Sequence, residues 1–189
     1  MKCGKPLSQG TDEYCTDCRE KRHEFIQGRS LYEYESAAAS IYRFKYAKRR
    51  EYAEFYGEEL SKRFGKMIKR WKVDAIVPVP IHEARRKERG YNQAELLAKQ
   101  LGRNLQLPVK ADLIIRRKET IPQKELNASQ RQNNLKRAFK ISKNDVKLST
   151  IIVVDDIYTT GSTVDEMARV LKQAGVEKVY VLTLAIGNI

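Results

Sequence analysis

The apolar positions of this chain follow two different periods, and together these periods predict an α/β fold. A continuous apolar run covers Ile151 to Val154, and a second covers Val179 to Ala185. Such runs are typical of strands that are buried on both faces of a parallel sheet. Between them, apolar residues recur at helical spacing, namely Val164, Met167, Ala168, Leu171 and Ala174. The stretch therefore predicts a βαβ unit.

The same two periods predict further elements upstream. A helix is expected from about Glu51 to Trp71, because apolar residues from Tyr56 onwards repeat every three or four positions. A buried strand is expected from Ala75 into a proline-rich turn, followed by a helix capped by Asn92. Shorter strands are predicted at Leu31 to Tyr34 and at Leu113 to Arg116.

The length of 189 residues allows one α/β domain with a small appendage. We expect a Cys-rich, zinc-ribbon-like segment over residues 1–28 and the α/β domain over residues 29–189. The sequence has no run of eighteen apolar residues and no secretory signal pattern, which predicts a cytoplasmic protein.

The formal net charge of +13 is concentrated in two stretches. Arg43 to Lys72 holds eleven Lys or Arg residues against four acids, and Arg103 to Lys147 holds twelve against four. Such surfaces favour polyanions, including single-stranded nucleic acid and pyrophosphate-bearing ligands. A solvated, solubilising surface explains the charge equally well.

Three cysteines near the start indicate a metal site rather than disulfides. Cys15 and Cys18 form a Cys-x-x-Cys turn, and Cys3 is the third thiol. Tetrahedral zinc needs a fourth ligand. A matching thiol would precede Met1, so either the true start lies upstream or the ligand is His23. Three unrelated thiols are the alternative reading.

The chemistry of the βαβ unit lies where its first strand ends. Asp155 and Asp156 follow the apolar run, and carboxylates there can accept hydrogen bonds from vicinal sugar hydroxyls, directly or through Mg²⁺. The next loop offers hydroxyls and helix N-terminal N–H groups to a phosphate monoester; its residues are Thr159, Thr160, Gly161, Ser162 and Thr163. The two together predict a ribose 5-phosphate pocket. A strand end with two solvated acids and a polar turn is the alternative.

A cationic stretch follows the strand that begins at Ala75, and such a stretch suits a pyrophosphate leaving group. Its candidate contacts are Arg85, Arg86, Lys87 and Arg89. A basic loop after Arg116 is of the kind that closes over a phosphorylated substrate. The aromatic residues of the helical stripe, Tyr56, Phe64 and Trp71, are expected in the core. Tyr46, Tyr52 and Phe55 lie among basic residues, a pattern that also allows stacking on single-stranded bases.

The segment from Val153 to Thr163 resembles the phosphoribosyl pyrophosphate (PRPP) signature of type I phosphoribosyltransferases. More specifically, the chain is similar to the ComF family of bacterial competence and DNA-uptake proteins. That resemblance rests on Val77-Pro-Val-Pro-Ile-His, Arg89-Gly-Tyr-Asn-Gln-Ala-Glu-Leu-Leu-Ala, Thr120 with Gln123, Arg131 to Asn134, Ala138-Phe139 and the Cys-x-x-Cys.

The resemblance implies a type I phosphoribosyltransferase fold, with a parallel sheet of about five strands and helices on both faces. It assigns the ribose hydroxyls to Asp155 and Asp156, the 5′-phosphate to Thr159 to Thr163, and the pyrophosphate to Ile81 to Arg89, with Mg²⁺ accompanying PRPP. It also implies handling of single-stranded DNA beside a competence helicase and other cytosolic uptake proteins, at the inner face of the membrane through those partners.

Two functions from different classes remain open. One is a competence protein that binds PRPP, DNA and partners. The other is an active phosphoribosyltransferase that transfers phosphoribosyl from PRPP to a nitrogen acceptor and releases pyrophosphate. They differ at the acceptor, for which the sequence offers no recognisable site.

Overall fold

The computed structural model describes residues 2–7, 13–117, 138–142 and 147–187. Within these ranges the chain forms six helices and six strands. In chain order they are α1 (Thr16–Glu20), β1 (Gln27–Glu33), α2 (Tyr34–Tyr46), α3 (Tyr52–Trp71), β2 (Ala75–Pro78), α4 (Glu83–Arg89), α5 (Gln93–Leu105), β3 (Ile114–Arg116), β4 (Phe139–Ile141), β5 (Thr150–Tyr158), α6 (Ser162–Gln173) and β6 (Lys178–Ile186). Most of the basic loop predicted after Arg116 lies outside the described residues, as do Thr120, Gln123 and Arg131 to Asn134.

A parallel sheet forms the centre of the fold. Among the described residues, its strand order is β1-β6-β5-β2, and every neighbouring pair is parallel. The apolar run Ile151 to Val154 lies in β5 and is fully buried, as expected for a central parallel strand. At the outer edge of β2, Ile76 forms an isolated parallel bridge with Val109. The predicted parallel α/β architecture is confirmed, with four paired strands and this bridge where a fifth strand would lie.

Helices cover both faces of the sheet. Helices α2, α3 and α5 pack on one face, where Ile152 and Val154 of β5 contribute to their core. Helix α6 packs on the other face against Ile151 and Val153. The alternation follows from strand geometry, because successive side chains point to opposite faces.

Two of the predicted strands differ in extent or pairing from the expectation. The first short strand runs over Gln27–Glu33 and pairs with β6 at the sheet edge. The strand predicted at Leu113 to Arg116 is observed as Ile114–Arg116, but it pairs antiparallel with β4 in a separate two-stranded sheet. Its partner lies more than twenty residues away, so its pairing was not legible in the local pattern.

The cysteine-bearing segment packs on the α6 side of the sheet. Cys3 and Phe25 are buried in the same core cluster as residues of β5 and α6. The backbone of Cys3 lies so close to Gly28 of β1 that a Cβ on Gly28 would be 3.1 Å from the Cys3 carbonyl oxygen. The described part of this segment therefore shares the core of the sheet. Within the described residues, no helix is both long and apolar enough to cross a membrane.

The two faces of α3 predict different costs for losing an apolar side chain. Leu60 is fully buried, whereas Phe55 is 57% exposed on the same helix. We expect Leu60→Ala to lower the free energy of unfolding by about 2–5 kcal/mol, because it leaves a cavity. Phe55→Ala should change it by about 0.5 kcal/mol or less. Urea unfolding measures both; equal losses would contradict the assigned packing of α3.

Candidate functional site

The two acidic residues lie near the carboxyl end of β5, and their side chains make different contacts. Asp155 Oδ1 accepts a hydrogen bond from the backbone N–H of Asp156 at 2.8 Å. Asp156 Oδ2 lies 2.9 Å from Lys45 Nζ, at the end of α2. This divergence is expected, since neighbouring strand residues point to opposite faces. Lys45 thus holds Asp156 towards α2, while Asp155 remains on the side of the loop.

The electrostatic setting of Asp155 disfavours its charged form. Burial is the main cause and the charge of Asp156 adds to it, so the pKa of Asp155 is raised from 3.8 to about 7. The hydrogen bond from the Asp156 N–H and the charges of Lys45 and Arg116 act in the opposite direction but do not compensate. A ligand that brings hydroxyl donors or a cation to Asp155 would stabilise the ionised form.

One pocket joins Asp155 to the polar loop. Its empty volume is about 220 Å³, and its lining consists of Asp155, Ile157, Tyr158, Thr159, Gly161, Ser162, Thr163 and Val164. Thr160 and Ser162 are linked through their hydroxyls, whose oxygens are 2.9 Å apart. The pocket therefore brings together a carboxylate and the start of α6, where first-turn N–H groups have no partner within the helix.

Gly161 shapes this pocket. It is the N-cap residue of α6 and has a φ of 76°, in the left-handed region that glycine adopts without strain. A Cβ at this position would collide with the hydroxyl oxygen of Tyr158 and lie 3.0 Å from Cε1 of His23. Glycine is thus needed both for the turn and for the close approach of the loop to these two rings.

The cations predicted to meet pyrophosphate lie on α4, around more than one side of the helix. Arg86 pairs with Glu95 at 3.1 Å, and Lys87 pairs with Glu83 at 3.2 Å. Arg89 lies over the ring of Tyr46, 5.0 Å from its centroid. In this structure all three cations therefore contact other residues of the same chain.

Arg85, the fourth member of this set, acts on Arg116, whose charge in turn acts on Asp155. Burial, followed by the charge of Arg85, lowers the pKa of Arg116 to about 10, while Asp155 opposes this shift. Arg116 therefore lies within electrostatic range of both Arg85 and Asp155.

Two charged residues at the site were not assigned to it from the sequence. Lys45 ends a helix more than a hundred residues before Asp156, and Arg116 lies on a strand outside the main sheet. Neither carries a local signal, because only the folding of α2 and β3 around the end of β5 brings them there. The loop residues Thr159 to Thr163, by contrast, are contiguous and were legible as a motif.

The three cysteines come together in space. Their Sγ atoms lie within 4.8 Å of one another, and those of Cys3 and Cys15 are 3.4 Å apart. The turn is closed by the N–H of Cys18, which donates to the carbonyl of Cys15 at 3.0 Å. Tetrahedral zinc with Zn–S bonds of about 2.3 Å would separate its sulfurs by roughly 3.8 Å. The thiol cluster therefore fits zinc as three of its ligands.

The structure places His23, a candidate for the fourth zinc ligand, outside this thiol cluster. Its Nδ1 is 2.8 Å from Asp165 Oδ2, and its Nε2 is 3.4 Å from the hydroxyl of Tyr158. Both ring nitrogens thus have partners in the core. Among the described residues, the group of potential metal ligands at this place consists of Cys3, Cys15 and Cys18.

Comparison with known proteins gives this geometry a family. A family model for the phosphoribosyl transferase domain matches residues 60–188. Competence protein F of Haemophilus influenzae is 44% identical over 114 residues, which cover 59% of this chain and 50% of that protein. DNA utilization protein YhgH of Escherichia coli K12 is 39% identical over 111 residues, with 59% and 48% covered. Competence protein ComFC of Bacillus subtilis is 31% identical over 181 residues, with 92% and 71% covered.

The chain spans about half the length of the first two relatives and 71% of the third. The domain match covers more than half of the chain and includes β5, the loop and α6. The match to ComFC extends the similarity over nearly the whole chain, including the part before residue 60. The chain therefore belongs to the ComF family of proteins with a phosphoribosyl transferase domain.

Proposed function

We propose that this chain binds PRPP, or a related ribose 5-phosphate ligand, at the carboxyl edge of β5. The observation that carries the proposal is the single pocket that Asp155 shares with Thr159, Gly161, Ser162 and Thr163. The loop and the N-terminus of α6 take the 5′-phosphate, because N–H groups and hydroxyls there favour an anion. Asp155 takes the ribose hydroxyls, with Asp156 beside it and Mg²⁺ accompanying the ligand.

The pyrophosphate of PRPP would lie towards α4. Arg85 acts electrostatically on Arg116, and the charge of Arg116 in turn acts on Asp155. Arg86, Lys87 and Arg89 belong to the same predicted set and would join them if their contacts with Glu95, Glu83 and Tyr46 exchange for phosphate oxygens. Cations at this edge supply the charge that a bound pyrophosphate requires.

We further propose that the protein acts in competence and DNA uptake and binds single-stranded DNA directly. Two of the relatives carry competence in their names and one carries DNA utilization. Tyr42 and Tyr46 are 64% and 47% exposed, and their ring centroids are 5.0 Å apart. Arg89 lies over Tyr46, and Lys45 next to it reaches Asp156. Exposed rings among cations are what single-stranded bases and phosphates require.

The other aromatic residues considered for this surface have different positions. Tyr52 packs edge-on against Tyr56, with ring centroids 6.2 Å apart, so it belongs with the core of α3. Phe55 is 57% exposed on the same helix. The stacking surface we propose consists of Tyr42 and Tyr46, because their exposed rings lie side by side on α2. A competence helicase and other cytosolic uptake proteins remain the proposed partners, with the protein in the cytoplasm.

An active phosphoribosyltransferase is the second candidate function. The positive charge of Arg116, which acts on Asp155, favours it, because a departing pyrophosphate needs positive charge as the C1–O bond breaks. Pyrophosphate release from PRPP and Mg²⁺ decides between the two functions, with ammonia, glutamine, nucleobases and single-stranded DNA as acceptors. Release that depends on one acceptor makes the protein an enzyme. PRPP binding without release makes the pocket a sensor.

Removal of the acid pair tests the pocket. We expect Asp155→Asn to weaken PRPP binding at least tenfold, since a hydrogen bond to a charged group is lost. Asp156→Asn should cost less because Asp156 faces Lys45, and the double variant should abolish binding. Isothermal titration calorimetry measures the affinities. Asp74→Asn, at the opposite end of β5, is the matched control; unchanged affinity in the double variant would contradict the assignment.

The raised pKa of Asp155 predicts a pH-dependent stability. The charged form is disfavoured in the folded state, so this group contributes stability below pH 4 that is lost as the pH rises through about 7. Asp155→Asn should therefore raise the melting temperature at pH 8 by about 2 °C or more, and the gain should vanish near pH 4. Thermal unfolding across this range tests it; a lower melting temperature at pH 8 would contradict it.

The stacking surface predicts separate effects of rings and charges on single-stranded DNA binding. Tyr46→Ala should weaken binding by about 1–3 kcal/mol and leave the salt dependence unchanged, because stacking releases no counterions. Arg49 is an exposed cation three residues after Tyr46 and pairs with Glu51 at 3.2 Å. Arg49→Ala should reduce the slope of log K against log salt by about 0.7. Fluorescence anisotropy over a salt series measures both, with Tyr14→Ala as an exposed-tyrosine control. A flat salt response in the unmodified protein would rule out backbone contacts.

The thiol cluster is the proposed site of a structural zinc ion. Cys3, Cys15 and Cys18 would hold it together with a fourth ligand from outside this thiol cluster. Burial raises the pKa of the Cys3 thiol, so Cys3 would bind metal only with release of a proton. Zinc would stabilise the short segment that carries these residues.

A further inference from the structure

His23 is a buried histidine whose two ring nitrogens contact residues on either side of the loop that lines the pocket. It is 4% exposed, and its ring stacks on Phe25 with centroids 4.8 Å apart. Its Nδ1 contacts Asp165, and its Nε2 contacts the Tyr158 hydroxyl. Asp165 is in the first turn of α6, and Tyr158 ends β5. His23 thus touches the elements on both sides of the loop.

These contacts lie around Gly161, the residue that precedes α6. The N–H of Asp165 donates to the carbonyl of Gly161 at 2.8 Å. The Asp165 carboxylate accepts from His23, and His23 meets the hydroxyl of Tyr158. Gly161 itself lies so close to Tyr158 and His23 that a Cβ would have no room there. The backbone of the loop therefore rests on these two side chains.

The charge state of Asp165 sets the direction of the hydrogen bond. Although burial alone would raise it, hydrogen bonds from His23 and Lys21 lower the pKa of Asp165. Ionised Asp165 can only accept, so Nδ1 of His23 carries the proton that it donates. The N–H of Glu24 donates to the other carboxylate oxygen at 3.0 Å. The carboxylate thereby fixes the orientation of the imidazole beneath the loop.

We propose that His23 is a positioning residue for the phosphate-binding loop, and that the N-terminal segment supports the ligand site through it. This inference rests on the proposed function, because it takes the loop to be the phosphate site. The role is to orient the loop. Asp165 fixes the imidazole of His23, and the imidazole and Tyr158 together fix the position of Gly161 in the loop. A loop held in place before binding needs less ordering when the ligand arrives.

The cysteine-bearing segment is connected to this support at several points. Lys2 Nζ donates to the backbone carbonyl of His23 at 2.9 Å, and the carbonyl of Lys2 accepts from the N–H of Gly28 at 2.7 Å. Cys3 is buried in the same core cluster as Phe25 and Tyr158. His23 follows Cys18 by five residues. The segment that carries the thiol cluster thus also places the imidazole beneath the loop that lines the pocket.

A core histidine with satisfied nitrogens is the simpler explanation of the same contacts. It predicts a loss of global stability and nothing particular at the loop. The positioning role predicts that phosphate affinity and loop order change more than the stability of the sheet does. Zinc ligation by His23 predicts a third result, which is loss of metal.

The test compares three variants in the full chain. His23→Phe keeps a ring of similar size but removes both hydrogen bonds. Tyr158→Phe removes only the hydroxyl beneath Gly161. Lys21→Ala is the matched control, because it removes an ion pair to Asp165 at 2.9 Å but leaves the ring beneath the loop in place. The measurements are PRPP affinity by calorimetry, zinc content, and hydrogen exchange of peptides covering the loop and β6.

We expect His23→Phe to weaken PRPP binding by about tenfold, the usual scale for losing a residue that orients a binding group. Exchange of the loop peptide should speed up while β6 remains protected, and zinc content should equal that of the unmodified protein. Tyr158→Phe should act in the same direction, and Lys21→Ala should stay within about twofold.

Two outcomes overturn the inference. Loss of zinc in His23→Phe would make His23 a ligand, and unchanged affinity and loop exchange in both ring variants would make it a core residue only. If the unmodified protein does not bind PRPP, the proposed function fails. Loop exchange, which needs no ligand, then still decides whether His23 positions the loop.

Discussion

The burial of β5 between two helical layers is the constraint on which the site depends. Its first half is apolar on both faces, and its neighbours β6 and β2 are parallel to it. Parallel strands end at a common edge, so the residues that follow the apolar run emerge together where α/β folds bind ligands. The acid pair, the loop and the start of α6 all inherit their positions from that strand. Stability and binding thus meet in one element.

The carboxyl end of β5 holds a carboxylate whose charged form is disfavoured, whereas the first half of the strand is apolar and buried. Asp155 is partly buried and lies beside a second carboxylate, so its charged form is disfavoured. Asp156 forms an ion pair with Lys45, whereas Asp155 lines the pocket. Groups held in unfavourable states are common where a ligand completes the set of contacts. Here the missing contacts match hydroxyls or a cation.

The N-terminal segment does not behave in this structure as an independent appendage. Its thiols pack against the core of the sheet, and its histidine lies under the loop that opens α6. Short segments of this composition have too little apolar surface to fold alone and rely on metal or on docking. Docking against the loop that opens α6 links the order of the segment to the order of that loop. The two features that the sequence presents as separate are thereby parts of one structure.

Much of the fold was legible in the sequence because its signals are local. The apolar run of β5, the stripes of α3 and α6, and the contiguous loop from Thr159 to Thr163 depend on neighbours within a few positions, which periodicity and motif spacing report directly. The Cys-x-x-Cys turn is local in the same sense, and it correctly placed Cys15 beside Cys18.

Long-range pairings were decided by the tertiary structure alone. Sequence spacing made His23 a candidate zinc ligand. In the structure its ring nitrogens contact Asp165 and Tyr158, more than a hundred residues away. Lys45 and Arg116 came to the acid pair only because α2 and β3 fold around the end of β5. The sequence by itself determined which residues could do the chemistry. The folded chain decided which of them meet, because the distances between side chains from remote segments depend on packing rather than on order along the chain.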